Sequence, residues 1–136
     1  MKKLVLLFMF GLLACGPVKL GSMLAGGNII SFQGTDTLNL PSLTVDIIEE
    51  TGKSLGYRVA GMDREKNMIG LNTQGSFAAK VFLGKFNEAS ITFIKPPQQE
   101  KWHVTYFVQG THGSGTQKQA DALWDSFKEK LLEKIK

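Results

Sequence analysis

Apolar and polar residues alternate along several short stretches of the chain, and this pattern predicts β-strands. The alternation is clearest in residues 102–109, where apolar side chains occupy every second position. Residues 57–71 alternate on both sides of a charged turn, which predicts a hairpin. Residues 77–86 and 89–95 predict further strands.

The stretch before these strands has two interpretations. Residues 16–34 are rich in glycine and small side chains, and we interpret them mainly as a flexible tether. Three of these residues, at positions 29, 30 and 32, are too apolar for a free linker. Residues 28–33 therefore form either a short strand or a segment that packs on the domain, and residues 35–40 are predicted as an edge strand.

Two stretches instead repeat their apolar residues every three or four positions, as the buried face of a helix does. The first runs from a predicted N-cap at Ser42 to Gly56. The second follows residue 116, and its apolar stripe comprises Ala120, Leu123, Trp124, Phe127, Leu131 and Ile135. Amphipathic helices need an apolar sheet face to cover. The sequence therefore predicts an α+β fold, a two-layer sandwich in which two helices cover an antiparallel, four- to five-stranded meander sheet, in the order (β)-α-β-β-β-β-α.

The first sixteen residues, MKKLVLLFMFGLLACG, have a different character. Two lysines precede an apolar run that is too short to span a bilayer and is typical of a secretory signal. The sequence LLAC at residues 12–15 resembles the lipobox of bacterial lipoproteins. This resemblance implies that residues 1–14 are a cleaved signal peptide and that Cys15 carries three acyl chains, such as palmitate. The alternative is a generic export signal followed by an unrelated free thiol.

The lipobox resemblance also sets the predicted organisation and location. Residues 15–34 comprise the lipidated cysteine and the tether, and residues 35–136 form a single domain. Because Gly16 stands where an aspartate would be needed for inner-membrane retention, the resemblance implies an outer-membrane anchor facing the periplasm, or a plasma-membrane anchor in a Gram-positive host. Cys15 is the only cysteine, so the mature domain has no disulfide, thiolate metal site or cysteine nucleophile.

The charge distribution argues against a nucleic-acid partner. Removal of Lys2 and Lys3 with the signal lowers the net charge from +4 to +2. The only arginines are Arg58 and Arg64, and no basic cluster is present.

The glycine-rich stretch GTHGSGTQ, residues 110–117, has the position of a phosphate-binding loop but lacks its chemistry. Thr116 stands where a Walker A motif has the lysine that reaches the outer phosphates. We therefore predict no nucleotide and no cofactor. The stretch is interpreted as a strand-to-helix connection in which Ser114 or Thr116 caps the helix.

Candidate catalytic and metal-ligating residues are few. His103 and His112 lack the spacing of a metal or catalytic pair, and Ser114 is not within a G-x-S-x-G motif. Asp121 and Asp125 lie one helical turn apart and are predicted to be solvated. We predict no catalytic residues and no metal site. A hydrolase would require one of the histidines to converge with a carboxylate or with Ser114.

The aromatic residues allow two functional interpretations besides core packing. Phe82, Phe86 and Phe107 lie on sides of predicted strands that helices would leave uncovered, and they are predicted to form a partner-contact face. A second set would close the core or line a cavity for an apolar ligand between the sheet and the terminal helix. This set consists of Trp102, Tyr106, Trp124 and Phe127.

A second resemblance concerns the domain itself. Residues 47–71, IIEETGKSLGYRVAGMDREKNMIGL, resemble small bacterial lipoprotein domains in which a helix ends in a leucine-glycine-aromatic step before a hairpin. The element order is similar to the helix-grip domains of accessory lipoproteins in outer-membrane barrel assembly. This resemblance implies the fold and the location, but no functional residues.

These observations support three hypotheses. The leading one is a membrane-anchored, non-enzymatic protein-binding or scaffolding module at the cell envelope. The alternative is a carrier of a small apolar or lipid-like ligand. The third is an envelope hydrolase.

Overall fold

A five-stranded antiparallel sheet forms one layer of the domain and confirms the predicted α+β fold. The computed structural model describes residues 29–84, 86–111 and 115–136. The strands are β1 (Ile29–Leu38), β2 (Arg58–Asp63), β3 (Met68–Asn72), β4 (Glu88–Ile94) and β5 (Trp102–Thr111). Their order in the sheet is β1-β5-β4-β3-β2. Strands β2 to β5 form the predicted meander, and β1 adds to its far edge by pairing with β5.

The helices form the second layer. They are α1 (Val45–Ser54), α2 (Ala79–Leu83) and α3 (Gln117–Ile135). The α1 N-cap is Thr44, whose hydroxyl accepts from the Ile47 N–H at 3.3 Å. The prediction of Ser42 is wrong because the chain still turns there, with the Leu43 N–H donating to the Leu40 carbonyl at 3.1 Å. For α3, Thr116 accepts from the Gln119 N–H at 3.2 Å, which confirms the predicted cap.

The prediction of a strand at residues 77–86 is wrong, because these residues contain the short helix α2. Ala79 and Leu83, four positions apart, are buried against the core, whereas Phe77 and Val81 point outward. This burial follows a helical repeat and not the alternation of a strand. The run of apolar residues is compatible with both, so the local pattern did not decide between them. The domain therefore has three helices among its described residues, one more than predicted.

Strand β1 begins inside the segment predicted as a tether. It pairs with β5 along its whole length, from Ile29 opposite Thr111 to Leu38 opposite Trp102. Residues 29–34 thus belong to the sheet, and the predicted domain boundary at residue 35 is too late. The alternative interpretation of residues 28–33 as a strand was the better one. Residues 1–28, with the predicted signal peptide and Cys15, lie outside the described residues.

The core lies between one face of the sheet and helices α1 and α3. Every second residue of the central strands points into it, including Ile91, Phe93, Val104 and Val108. The apolar stripe of α3 meets them through residues that are at most 4% exposed, namely Ala120, Trp124, Phe127 and Leu131. The opposite face of the sheet faces outward.

Candidate binding site

Aromatic rings fill the space between the sheet and α3. The ring centroids of Trp124 and Phe127 lie 6.0 Å apart, and Tyr106 stacks on Trp124 at 5.8 Å. Phe93 lies 5.9 Å from both α3 rings, and Tyr57 lies 5.3 Å from Phe127. At the position expected for an apolar ligand, three of the predicted lining residues therefore contact one another and their aromatic neighbours.

The fourth residue of that set, Trp102, is also buried. Its exposed fraction is 0%, and the Lys95 ammonium lies 5.7 Å from its ring centroid. Within the described part of the chain its indole N–H has no hydrogen-bond partner. Three surface concavities among the described residues are lined by other side chains. The arrangement of all four residues is that of a packed core.

Two aspartates connect α3 to the sheet. On β1, the Asp36 carboxylate accepts from the Trp124 indole at 2.9 Å and from the Lys128 ammonium at 3.1 Å. Burial opposes ionisation of Asp36, but these bonds, with the Thr37 N–H, hold its pKa below the ordinary value. Sequence reasoning did not single out Asp36, because nothing in its local pattern shows which helix lies above it.

The second aspartate is Asp121, which was predicted to be solvated. It accepts from the Tyr106 hydroxyl at 2.6 Å and from the Gln117 amide at 2.8 Å. These bonds lower the pKa of Asp121. Burial, together with the bond to Asp121, raises the pKa of Tyr106 to about 12. Asp121 is thus a structural acceptor, and the prediction for it is wrong.

Tyr106 reaches Asp121 by passing over a glycine. Gly34 on β1 lies directly opposite Tyr106 in the sheet. A Cβ placed on Gly34 would lie 2.1 Å from the Tyr106 hydroxyl oxygen. Since real side chains do not approach so closely, residue 34 must lack a side chain for the Tyr106–Asp121 bond to form.

The predicted partner-contact residues do not share one face. Phe86 is only 6% exposed and packs edge-on against Phe32, with ring centroids 6.0 Å apart. It also contacts Gly115, where an added Cβ would lie 2.3 Å from the Phe86 ring. Phe82 is half-buried against Tyr57, at 5.8 Å. The prediction of exposure is therefore wrong for Phe86 and only partly met by Phe82, because residues 77–86 fold as a helix against the core.

Phe107 alone of the three lies on the outward face of the sheet, where it is half-buried. We call this surface the open sheet face. It consists of the outward residues of the five strands: Ser31, Gln33, Thr35 and Thr37 on β1, His103, Thr105, Phe107 and Gln109 on β5, Glu88, Ser90, Thr92 and Ile94 on β4, Met68, Gly70 and Asn72 on β3, and Arg58, Gly61 and Asp63 on β2. The face is largely uncharged.

A row of small residues crosses the open sheet face. In register across the five strands lie Thr35, Thr105, Thr92, Gly70 and Gly61. A Cβ added at Gly61 would meet no atom within 4 Å. A concavity of about 390 Å³ forms around these two glycines, between Met68 and Lys66. The face is therefore low and accessible on the side of β2 and β3.

A second concavity surrounds Phe107. It has a volume of about 250 Å³, and its polar lining consists of Asn72, Gln74, Glu88, Ser90 and Gln109. Amide and hydroxyl groups can both donate and accept hydrogen bonds, and the exposed part of the Phe107 ring supplies apolar contact. This arrangement can bind a partner without any reactive group.

The predicted hydrolase residues are only partly described. His103 is exposed and its ring nitrogen lies 2.7 Å from the Gln99 side-chain oxygen. His112 and Ser114 lie outside the described residues, so the hydrolase hypothesis is not tested. Within residues 29–84, 86–111 and 115–136, no group of three or more histidine, cysteine or acidic side chains is arranged to hold a metal ion. In the same ranges, no helix has the length and hydropathy needed to cross a membrane.

Known proteins give little guidance on function. No protein-family model matches the chain, and no curated protein matches it. Among solved structures, the crystal structure of Ara h 8.0201 is similar, at 11% sequence identity and a TM-score of 0.41. The alignment covers 77% of this chain and 99% of that chain. A similarity at this level carries no argument about function.

Proposed function

We propose that the protein is a lipid-anchored, non-enzymatic binding module of the bacterial envelope, and that it binds a protein partner through the open sheet face. The observation that carries the proposal is a sheet face that no helix of the described residues covers, on which polar side chains, Glu88 among them, surround Phe107. The lipobox-like sequence before Cys15 supports the anchor.

The size of the open sheet face favours a macromolecule over a small ligand. Five strands with up to four outward residues each cover a square roughly 20 Å on each side. That is about 400 Å², roughly half of what one partner contributes to a standard protein interface. The face also lacks the strongest contact residues, since both tryptophans and both tyrosines are buried. We therefore expect weak binding by the isolated domain.

The anchor would compensate for this weak contact. Confinement of both partners to one membrane raises their effective concentration without any new interaction. Stable anchoring needs at least two acyl chains, and the lipobox resemblance implies three on Cys15. Anchoring and contact are thus complementary parts of the same proposal.

Mass spectrometry of the protein extracted from membranes tests the anchor. We expect Cys15 to carry a diacylglyceryl group and an N-linked acyl chain, and we expect Cys15→Ser to leave the protein out of the membrane fraction. An unmodified thiol at Cys15 would remove this part of the proposal.

Site-specific photo-cross-linking in cells tests the contact. A photoreactive amino acid at Thr105, in the middle of the open sheet face, should form an adduct with one protein. The matched position is Ser126, which is exposed on α3. We expect no corresponding adduct there, and Phe107→Ala should weaken the adduct formed from Thr105.

Two results would contradict a protein contact on this face. Equal labelling from Thr105 and Ser126 would mean that the face is not selective. A heterogeneous adduct that a muramidase converts to small products would identify a cell-wall glycan as the partner instead.

A further inference from the structure

Residues 77–83, which include the short helix α2, expose large apolar side chains at one end of the sandwich. Phe77 is 82% exposed and Val81 is 93% exposed. The third exposed large apolar residue in the described chain, Met68, reaches only 37%. Single exposed apolar residues are common on proteins, but Phe77, just before α2, and Val81, within it, are only four positions apart in the chain.

The same segment is packed against the core through its other side chains. Ala79 and Leu83 are buried in the core at 0% and 3% exposure. Phe82 packs edge-on against Tyr57. The exposed pair is therefore presented by a packed element, and the core does not compete for these two side chains.

Cationic residues occur close to this apolar pair in the sequence. Residues 73–87 contain Lys80 and Lys85, and the first acidic residue after them is Glu88 at the start of β4. The Lys80 ammonium lies 5.0 Å from the Phe77 ring centroid. Arg58 adds a guanidinium beside the loop, where it donates to the Gly75 carbonyl at 3.1 Å. Apolar side chains with long cationic side chains beside them are suited to the boundary between lipid headgroups and acyl chains. The apolar groups can enter the acyl region while the cationic groups stay at the headgroups.

The position of α2 relative to the chain start points to the same surface. Helix α2 lies in the connection between the end of β3 and the start of β4. The start of β1 lies at the same end of the sheet, where Ile29 pairs with Thr111. Phe86, just after α2, contacts Phe32 near the beginning of β1. A chain that arrives from Cys15 therefore enters the domain at the end that carries α2.

The tether length also favours this end. Fully extended, the chain from Cys15 to Ile29 spans at most about 50 Å. The ten-residue strand β1 is itself about 33 Å long. The end with α2 can meet the membrane with a slack tether, whereas the opposite end would require the tether to extend along most of the sheet, at a cost in chain entropy.

We propose that residues 77–83, which include α2, are a membrane-contacting segment, through which Phe77 and Val81 insert into the headgroup region of an anionic bilayer and fix the orientation of the domain. This inference depends on the anchor at Cys15 that is part of the proposed function, but not on the contact made by the open sheet face. The sheet then stands away from the bilayer, with the open sheet face accessible along its side.

Polarity-sensitive fluorescence on the intact lipidated protein tests the orientation. After acylation Cys15 carries no free thiol, so a cysteine introduced by Val81→Cys can be labelled alone with a nitrobenzoxadiazole dye. The protein is reconstituted into vesicles of phosphatidylethanolamine and phosphatidylglycerol. We expect a blue-shifted emission and at least a twofold loss of intensity when spin-labelled lipid is added.

The matched control is Glu65→Cys, at the exposed turn between β2 and β3 at the other end of the sheet. We expect its dye to report water and to show no quenching by spin-labelled lipid. Adding Phe77→Ser to the Val81→Cys protein should reverse most of the blue shift. Both side chains are largely exposed, so these variants should keep the fold.

The outcomes separate the two proposals. An aqueous signal at residue 81 in a protein that remains vesicle-bound overturns the membrane contact and leaves the anchor intact. Equal quenching at residues 65 and 81 also overturns it, because the domain would then have no fixed orientation. Protein that fails to stay with the vesicles at all contradicts the anchor of the proposed function. A blue shift and quenching at residue 81 that persist in neutral phosphatidylcholine vesicles contradict the proposed attraction between the cationic groups and anionic lipid.

Discussion

The two faces of the same sheet have opposite characters. On the inner face, strand β5 contributes Trp102, Val104, Tyr106 and Val108, all at most 7% exposed. On the outer face the same strand contributes His103, Thr105, Phe107 and Gln109, which are half-buried or exposed. Side chains of adjacent strand residues point to opposite sides, so one short strand contributes both to the buried core and to the exposed face.

This difference indicates how stability and binding are divided in the molecule. The inner face is closely packed against α3 through aromatic rings and aspartate hydrogen bonds, so changes there should alter the free energy of unfolding. None of the described residues forms a layer over the open sheet face, and the face has few large side chains, so changes there should leave stability nearly unchanged. The predictions below test this division, beginning with the largest expected effect on stability.

The largest loss of stability should follow Phe127→Ala. Phe127 is 0% exposed and lies within 6.0 Å, between ring centroids, of Tyr57, Phe93 and Trp124. Truncating such a buried ring removes its transfer free energy and leaves a cavity, at a cost of about 3–5 kcal/mol. Urea unfolding followed by tryptophan fluorescence measures it. A loss below about 1 kcal/mol would mean that the inner face is loosely packed.

A smaller loss should follow Gly34→Ala on β1. The new methyl group would overlap the Tyr106 hydroxyl, so Tyr106 must move and the bond to Asp121 must break. Overpacking of this kind costs about 1–3 kcal/mol. The matched control is Gly61→Ala, where the added Cβ meets no atom within 4 Å. Equal effects of the two substitutions in thermal unfolding would contradict the contact between Gly34 and Tyr106.

Stability should also depend on pH through Asp36. Its pKa is lowered on folding from 3.8, so the unfolded chain takes up the proton first as the pH falls. The contribution of Asp36 is therefore complete above about pH 5 and is lost as the pH falls through 3.8 toward the lower folded value. We expect Asp36→Asn to be less stable than the parent protein at pH 7, with the difference shrinking by pH 3. A difference that stays constant between these two pH values would show that the Trp124 and Lys128 bonds do not favour the ionised carboxylate.

The smallest effect on stability should follow Phe107→Ala on the open sheet face. Its ring is half-buried and has no helix above it, so we expect a loss below about 1 kcal/mol in urea unfolding. The same substitution should nevertheless weaken the photo-cross-linked adduct formed from Thr105. A loss similar to that of Phe127→Ala would show that Phe107 belongs to the core, and the two faces would then not differ in the way described.

The sequence predicted correctly those elements whose pattern of apolar residues is complete within one short segment. The alternation in residues 102–109 and the stripe of α3 each identify both an element and its buried side, because the period of the apolar residues matches a single geometry. Residues 77–86 have no such period, so their apolar run was interpreted as a strand. Only the contact of Ala79 and Leu83 with the core shows that it contains a helix.

The candidate site was less predictable than the fold. Phe107 could be placed on the outer face from alternation alone, whereas the burial of Phe86 depends on Phe32 and Gly115, which are distant in sequence. The roles of Asp36 and Asp121 likewise depend on side chains of other elements.

The sequence by itself therefore determined the strands of the meander, the terminal helix with its buried stripe, and the α+β class, since these depend on periodicities within short segments. Only the tertiary structure decided that β1 joins the sheet beside β5 and that Tyr106 crosses Gly34 to reach Asp121. It also decided that Phe77 and Val81, at and within α2, are exposed at the end where the chain enters. The physical reason is that each of these features joins residues far apart along the chain. Their free energy comes from packing and hydrogen bonding between elements, which no local pattern contains.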